Sequence, residues 1–90
     1  MNIKVLGPGC AKCHSLDKTV REVVSALRLN ADVEYITDMK KIMQYHIMAT
    51  PGLVINEKVV LSGQVPSKAE AEQLIMNALV AEERESNKQV

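Results

Sequence analysis

Asn2-Ile3-Lys4-Val5-Leu6-Gly7-Pro8-Gly9-Cys10-Ala11-Lys12-Cys13 is the stretch on which the reading of this chain turns. Asn2 to Leu6 is a short β-like run with Ile3 and Val5 on one face, and Gly7-Pro8-Gly9 breaks it sharply. From Cys10 the period changes. Leu16, Val20, Val23, Val24 and Leu27 fall on one stripe of a helix running to about Arg28, with Asn30 as its stop. Two cysteines, three positions apart, therefore open a helix directly after a strand and a turn.

That placement gives the pair a chemistry. A helix N-terminus carries unpaired N–H groups and the positive end of the helix dipole, and Lys12 adds a charge nearby, so a thiolate is favoured at Cys10. A thiolate attacks disulfides; a thiol does not. Cys13, one turn deeper, is more shielded and is the natural resolving group. His14, on the next helical position, points away from the cysteines' face and reads as a surface residue.

Working outward, Asp32 to Ile36 alternates Val33 and Tyr35 with Asp32 and Glu34 and reads as a second strand. Thr37 or Asp38 caps a short helix over Met39 to Tyr45. Ala49-Thr50-Pro51-Gly52 interrupts the chain. Leu53-Val54-Ile55 and Lys58-Val59-Val60-Leu61 then read as a hairpin around Asn56-Glu57, which Gly63 ends. Ser67-Lys68-Ala69-Glu70 is a capping box opening a last helix, with Ala71, Leu74, Ile75, Ala78 and Leu79 as its apolar stripe. The predicted order is β-α-β-α-β-β-α. Its two βα units imply parallel strands, and the hairpin adds an antiparallel edge to a four-stranded mixed sheet. Gly7 and Gly9 are assigned to the turn. Met39, Met43 and Met76 are assigned to the core, with Met48 a candidate for the groove beside Thr50.

Composition narrows the function. The 90 residues hold eleven basic and eleven acidic side chains, two tyrosines, no Phe and no Trp. A nucleic-acid partner is poorly served: no basic stripe meets phosphate and no aromatic platform stacks bases. The N-terminal apolar run is too short for a signal peptide, and no run approaches a membrane span. The chain is thus expected in the cytoplasm, where structural disulfides are rare and paired cysteines indicate redox or metal chemistry. Residues 1–82 form one domain. Residues 83–90 are a polar tail with little to bury.

Over residues 2 to about 80 the chain resembles the thioredoxin superfamily, most closely its small redox-active disulfide proteins. The resemblance rests on the element order, on Gly-x-Gly-Cys-x-x-Cys, and on Ala49-Thr50-Pro51 ahead of the hairpin. It implies a trimmed thioredoxin-like α/β fold and thiol–disulfide exchange, with electrons passing between a protein reductant and a disulfide-containing protein substrate. Cys10 and Cys13 are then catalytic, and no bound cofactor or partner subunit is needed. The resemblance also makes Thr50–Pro51 a cis bond facing the dithiol, with Thr50 contacting substrate; a tuning role for Lys12 comes from its own charge and not from the resemblance. Four positions depart from thioredoxin. Gly9 stands where it has an aromatic residue, Lys4 where it has a buried acid, and Ala11-Lys12 where it has Gly-Pro.

Other chemistries fit parts of the pattern. Cys10-Ala11-Lys12-Cys13-His14 matches the attachment motif of c-type haem, which requires export in bacteria and usually a second axial ligand. Ile3 to Leu27 resembles the start of the heavy-metal-associated copper chaperones, which hold a soft ion between two thiolates. Those proteins follow a β-α-β-β-α-β order that ends on a strand, whereas this chain ends on a capped helix. A zinc site would need both cysteines with His14 and His46, which lie far apart in sequence.

Overall fold

A computed structural model describes residues 1–87, with side chains through Glu82. The elements are β1 (Asn2–Leu6), α1 (Ala11–Ala26), β2 (Asp32–Ile36), α2 (Met39–Met43), β3 (Gly52–Ile55), β4 (Lys58–Ser62) and α3 (Lys68–Asn87). The strands form one mixed sheet in the order β2-β1-β3-β4.

β1 and β2 are parallel, joined by the sixteen-residue α1. β3 departs from the reading of two parallel βα units, because it pairs antiparallel with β1. A parallel return needs a crossover long enough to traverse the sheet. The five residues of α2 span only about 7.5 Å. The chain therefore turns back at the end it has just left. β4 pairs antiparallel with β3 and forms the second edge.

Alternation along the strands divides the core in two. Ile3, Val5, Leu53 and Ile55 face α1 and α3, where they pack with Leu16, Val20, Val23, Ala71 and Ile75. Leu6 and Val54 face the other way and meet Ile36 and Ile42. Each such buried aliphatic side chain contributes roughly 1.5–3 kcal/mol relative to exposure. α2 buries only Ile42, so Met39 and Met43 on its outer side stand in solvent. Met76 is also partly exposed on α3, and none of the three is the core filler that composition suggested.

The ends of the helices have local causes. α1 stops at Ala26 because Arg28 adopts a left-handed conformation at φ 52°. Arg28 N–H then reaches the Ser25 carbonyl at 3.1 Å and Leu29 N–H the Val24 carbonyl at 3.1 Å, a Schellman motif. Asp38 caps α2 by accepting from Lys40 N–H at 3.0 Å. At the start of α3, Ser67 Oγ accepts from Glu70 N–H and Glu70 Oε1 accepts from Ser67 N–H, at 3.1 and 3.3 Å. α3 continues to Asn87, past the expected boundary at residue 82. Residues 88–90, and the side chains of the rest of the expected tail 83–90, lie outside the described residues.

Candidate functional site

At the C-terminal end of β1 the chain needs a sharp reversal to lay α1 on the sheet. Gly9 supplies it at φ 102°, a value that side chains rarely adopt. Gly7 does something else. A β-carbon there would collide with the Cys13 sulfur and come within 2.8 Å of the Cys13 β-carbon. Its smallness lets the first turn of α1 settle onto β1.

Cys10 is the N-cap of α1, one residue outside the helix, and is exposed; Cys13 is wholly buried. Burial of Cys13 extends the stripe of Leu16, Val20 and Val23 by one turn. The two residues form a disulfide with Cα atoms 5.1 Å apart, an ordinary spacing for a bridge. Cys10 Sγ also accepts from Cys13 N–H at 3.3 Å. This is the place of a capping oxygen, occupied by sulfur. No acidic residue lies in the first turn of α1, so nothing there opposes its positive end.

The segment around Pro51 reaches the same end of the sheet. Leu6 is paired with Gly52, so one step further the antiparallel register brings Pro51 opposite Gly7. The Thr50–Pro51 bond is cis and Pro51 is buried. The end of β4 holds this segment. Gly63 N–H donates to the Pro51 carbonyl at 2.7 Å. Ser62 Oγ donates to the Ala49 carbonyl at 3.0 Å and accepts from Ala49 N–H at 3.3 Å. The backbone of Thr50 is paired with no group among the described residues. Ser62 was invisible as a site residue in sequence, since a serine closing a strand is commonplace and its partner lies 13 positions away.

Lys4, which departs from the resemblance, faces the α2 side of the sheet, opposite Cys13. Its ammonium donates to Glu57 Oε1 at 2.6 Å and to Tyr45 Oη at 2.8 Å. The Glu57 carboxylate, and then the Tyr45 hydroxyl, hold the lysine above its ordinary range, while Lys4 holds Glu57 below the ordinary carboxylate range. Tyr45 Oη donates onward to Glu57 Oε2 at 3.2 Å. This cluster ties β1 to the hairpin turn and to the loop that leads towards Thr50. The only sequence signal for it is Glu57 itself, in a two-residue turn position at φ 67° where glycine is the usual occupant.

His14 leaves the cysteines and lies edge-on to Tyr35, with ring centroids 5.5 Å apart. Burial, and then the charge of Asp17, push the Tyr35 hydroxyl above its ordinary value. Lys12 is exposed in the first turn. Among the described residues no three His, Cys, Asp or Glu side chains converge as metal ligands, so His14 and His46 do not join the cysteines. No described helix is long and apolar enough to cross a membrane.

Comparison with known proteins places this arrangement. The sequence model of a family described as the thioredoxin domain matches residues 1–76. A thioredoxin of Methanothermobacter thermautotrophicus is 36% identical over 75 residues, 83% of this chain and 97% of the relative. One from Methanocaldococcus jannaschii is 29% identical over 77 residues, 86% of this chain and 88% of the relative. A probable thioredoxin of Archaeoglobus fulgidus is 33% identical over 79 residues, 84% of this chain and 86% of the relative.

Proposed function

The chain belongs to the thioredoxin family and is a thiol–disulfide oxidoreductase, and from that premise we propose how its residues divide the work. Cys10 is the attacking thiolate. Its sulfur displaces one sulfur of a substrate disulfide, forming a mixed disulfide and releasing the first substrate thiol. Cys13, losing its proton, attacks Cys10 Sγ, closes the Cys10–Cys13 bond and releases the second thiol. Two electrons and two protons pass from protein to substrate. The observation that carries this division is the contrast between an exposed Cys10 at the N-cap and a fully buried Cys13.

Around that pair, Lys12 favours the Cys10 thiolate through its charge. Pro51 and Thr50 form the ledge along which the substrate chain lies, its backbone pairing with the open N–H and C=O of Thr50. The protein works in the cytoplasm as a monomer, without a bound cofactor, and is reduced again by another protein. The functional domain is residues 1–82, with 83–90 as an appendage. Holding copper between the two thiolates, as a metal carrier would, makes no use of this difference in exposure.

A trapping experiment tests the assignment. Cys13→Ser should accumulate mixed disulfides with proteins in a lysate, visible on non-reducing electrophoresis, because the second attack is lost. Cys10→Ser should trap none. Preferential trapping by Cys10→Ser would exchange the two roles. If neither variant traps, and wild type copurifies with copper at one ion per chain, the oxidoreductase assignment itself fails.

A further inference from the structure

The end of the sheet that carries the dithiol is also where the chain exposes much of its large apolar surface. Met48 is 95% exposed, Met43 68%, Met39 50% and Val65 38%. Elsewhere among the described residues only Val59, Met76 and Val80 are large apolar side chains with comparable exposure.

Chain topology brings the segments that carry the first four to this end. Gly7 N–H donates to the Ile36 carbonyl, so β2 ends beside the turn that leads to Cys10, and α2 starts three residues later. Ile42 anchors α2 on Leu6 and Ile36 at that same end. Met39 and Met43, four apart, share the outer side of α2. Met48 immediately precedes Ala49, which Ser62 holds, and Val65 follows Gly63, which holds Pro51.

Charge is uneven here too. The whole chain balances eleven basic against eleven acidic residues. Yet residues 7–14, 37–51 and 63–67, the segments that start or finish at this end, hold Lys12, Lys40 and Lys41 against Asp38 alone. That carboxylate is already engaged with the N-terminus of α2.

We propose that Met39, Met43 and Met48, flanked by Lys12, Lys40 and Lys41, form a docking surface for disulfide-bearing polypeptides whose cysteine is flanked by acidic and apolar residues. The inference deepens the oxidoreductase reading and rests on it. Its occupant follows from continuity with the dithiol, since a substrate in mixed disulfide with Cys10 must lie across this end. Methionine suits such a surface because its unbranched thioether moulds to differing apolar partners, in a chain with no Phe or Trp to serve instead. The lysines select the sign of the partner's charge.

The test uses the full-length protein, reduced with dithiothreitol and desalted, oxidised in turn by three probes. These are a peptide disulfide with leucine and glutamate around its cysteine, the same peptide with lysine for glutamate, and bis(2-hydroxyethyl) disulfide. The acidic peptide should react about tenfold faster than the basic one at low ionic strength, with the ratio collapsing near 1 M salt. A folded Met43→Ser/Met48→Ser variant should lower the ratio of acidic-peptide to hydroxyethyl rates by about fivefold. Equal rates for the two peptides, or an unchanged ratio in the variant, overturns the docking surface. Failure of wild type to reduce bis(2-hydroxyethyl) disulfide overturns the oxidoreductase reading beneath it.

Discussion

Gly7 and Cys13 lie so close that no β-carbon fits between them: one built on Gly7 falls 2.8 Å from the Cys13 β-carbon and nearer still to its sulfur. Gly7 is buried and is not among the glycines with a positive φ. Its requirement is therefore space, not backbone freedom. The contact fixes how deep the Cys13 sulfur sits against β1, and hence how far it stands from Cys10.

Gly7→Ala should force the first turn of α1 away from the sheet. Overpacking of this kind costs about 1–3 kcal/mol, and closure of the Cys10–Cys13 bond should slow with it. Gly9→Ala is the contrast, because a β-carbon there meets nothing within 4 Å but the φ of 102° is strained. It should cost about 1–2 kcal/mol and leave the depth of Cys13 unchanged. Urea unfolding and stopped-flow oxidation of the reduced proteins separate the two. Equal slowing of disulfide closure by both variants would refute the spatial role of Gly7.

Ser62→Ala removes both hydrogen bonds to Ala49 and so loosens the segment that ends in Thr50–Pro51. The stability loss should be about 1 kcal/mol. On the proposed substrate role of Thr50–Pro51, Ser62 is a positioning residue, and its loss should lower the rate with a peptide disulfide more than the rate with bis(2-hydroxyethyl) disulfide. Ser62→Thr keeps the hydroxyl and should restore the peptide rate. A parallel fall with both disulfides would mean the latch does not serve the substrate.

Arg28→Gly should stabilise the protein. Arg28 is exposed at φ 52° in the C-terminal motif of α1, where a side chain carries a steric cost that glycine avoids. After the extra entropy glycine gains in the unfolded chain, the gain should be about 0.5–1 kcal/mol, read as a higher urea midpoint at unchanged slope.

The Lys4–Glu57 pair makes stability depend on pH in a defined direction. Glu57 is held below its ordinary value of 4.5, so its contribution is present above that value and is lost as pH falls through the lower folded value. Lys4 is held above its ordinary 10.5, so its contribution is complete below that value and is lost as pH rises through the raised folded one. The melting-temperature gap between wild type and Glu57→Gln should be flat between those two ordinary values and close at either extreme. With the Glu57 side chain 56% exposed, the gap should be small and shrink with salt. A gap that persisted in acid would assign the effect to turn geometry rather than charge.

The sequence by itself determined the elements, the core faces of α1 and α3, the capping box at Ser67 and Glu70, and the opening of α1 at the cysteine pair. These depend on period and on groups within a few residues of one another, so they can be read without knowing where the chain goes next. The tertiary structure alone decided what depends on chain reversal. It set β3 antiparallel to β1, because α2 is too short to cross the sheet. It turned Met39 and Met43 outward, because one turn of helix has room to bury only Ile42. It gave Lys4 its partners Tyr45 and Glu57, 41 and 53 positions away. It also gave Gly7 its purpose. A glycine beside a proline looks like part of a turn until the helix that must lie against it has been folded back, and only then does the missing β-carbon have a neighbour.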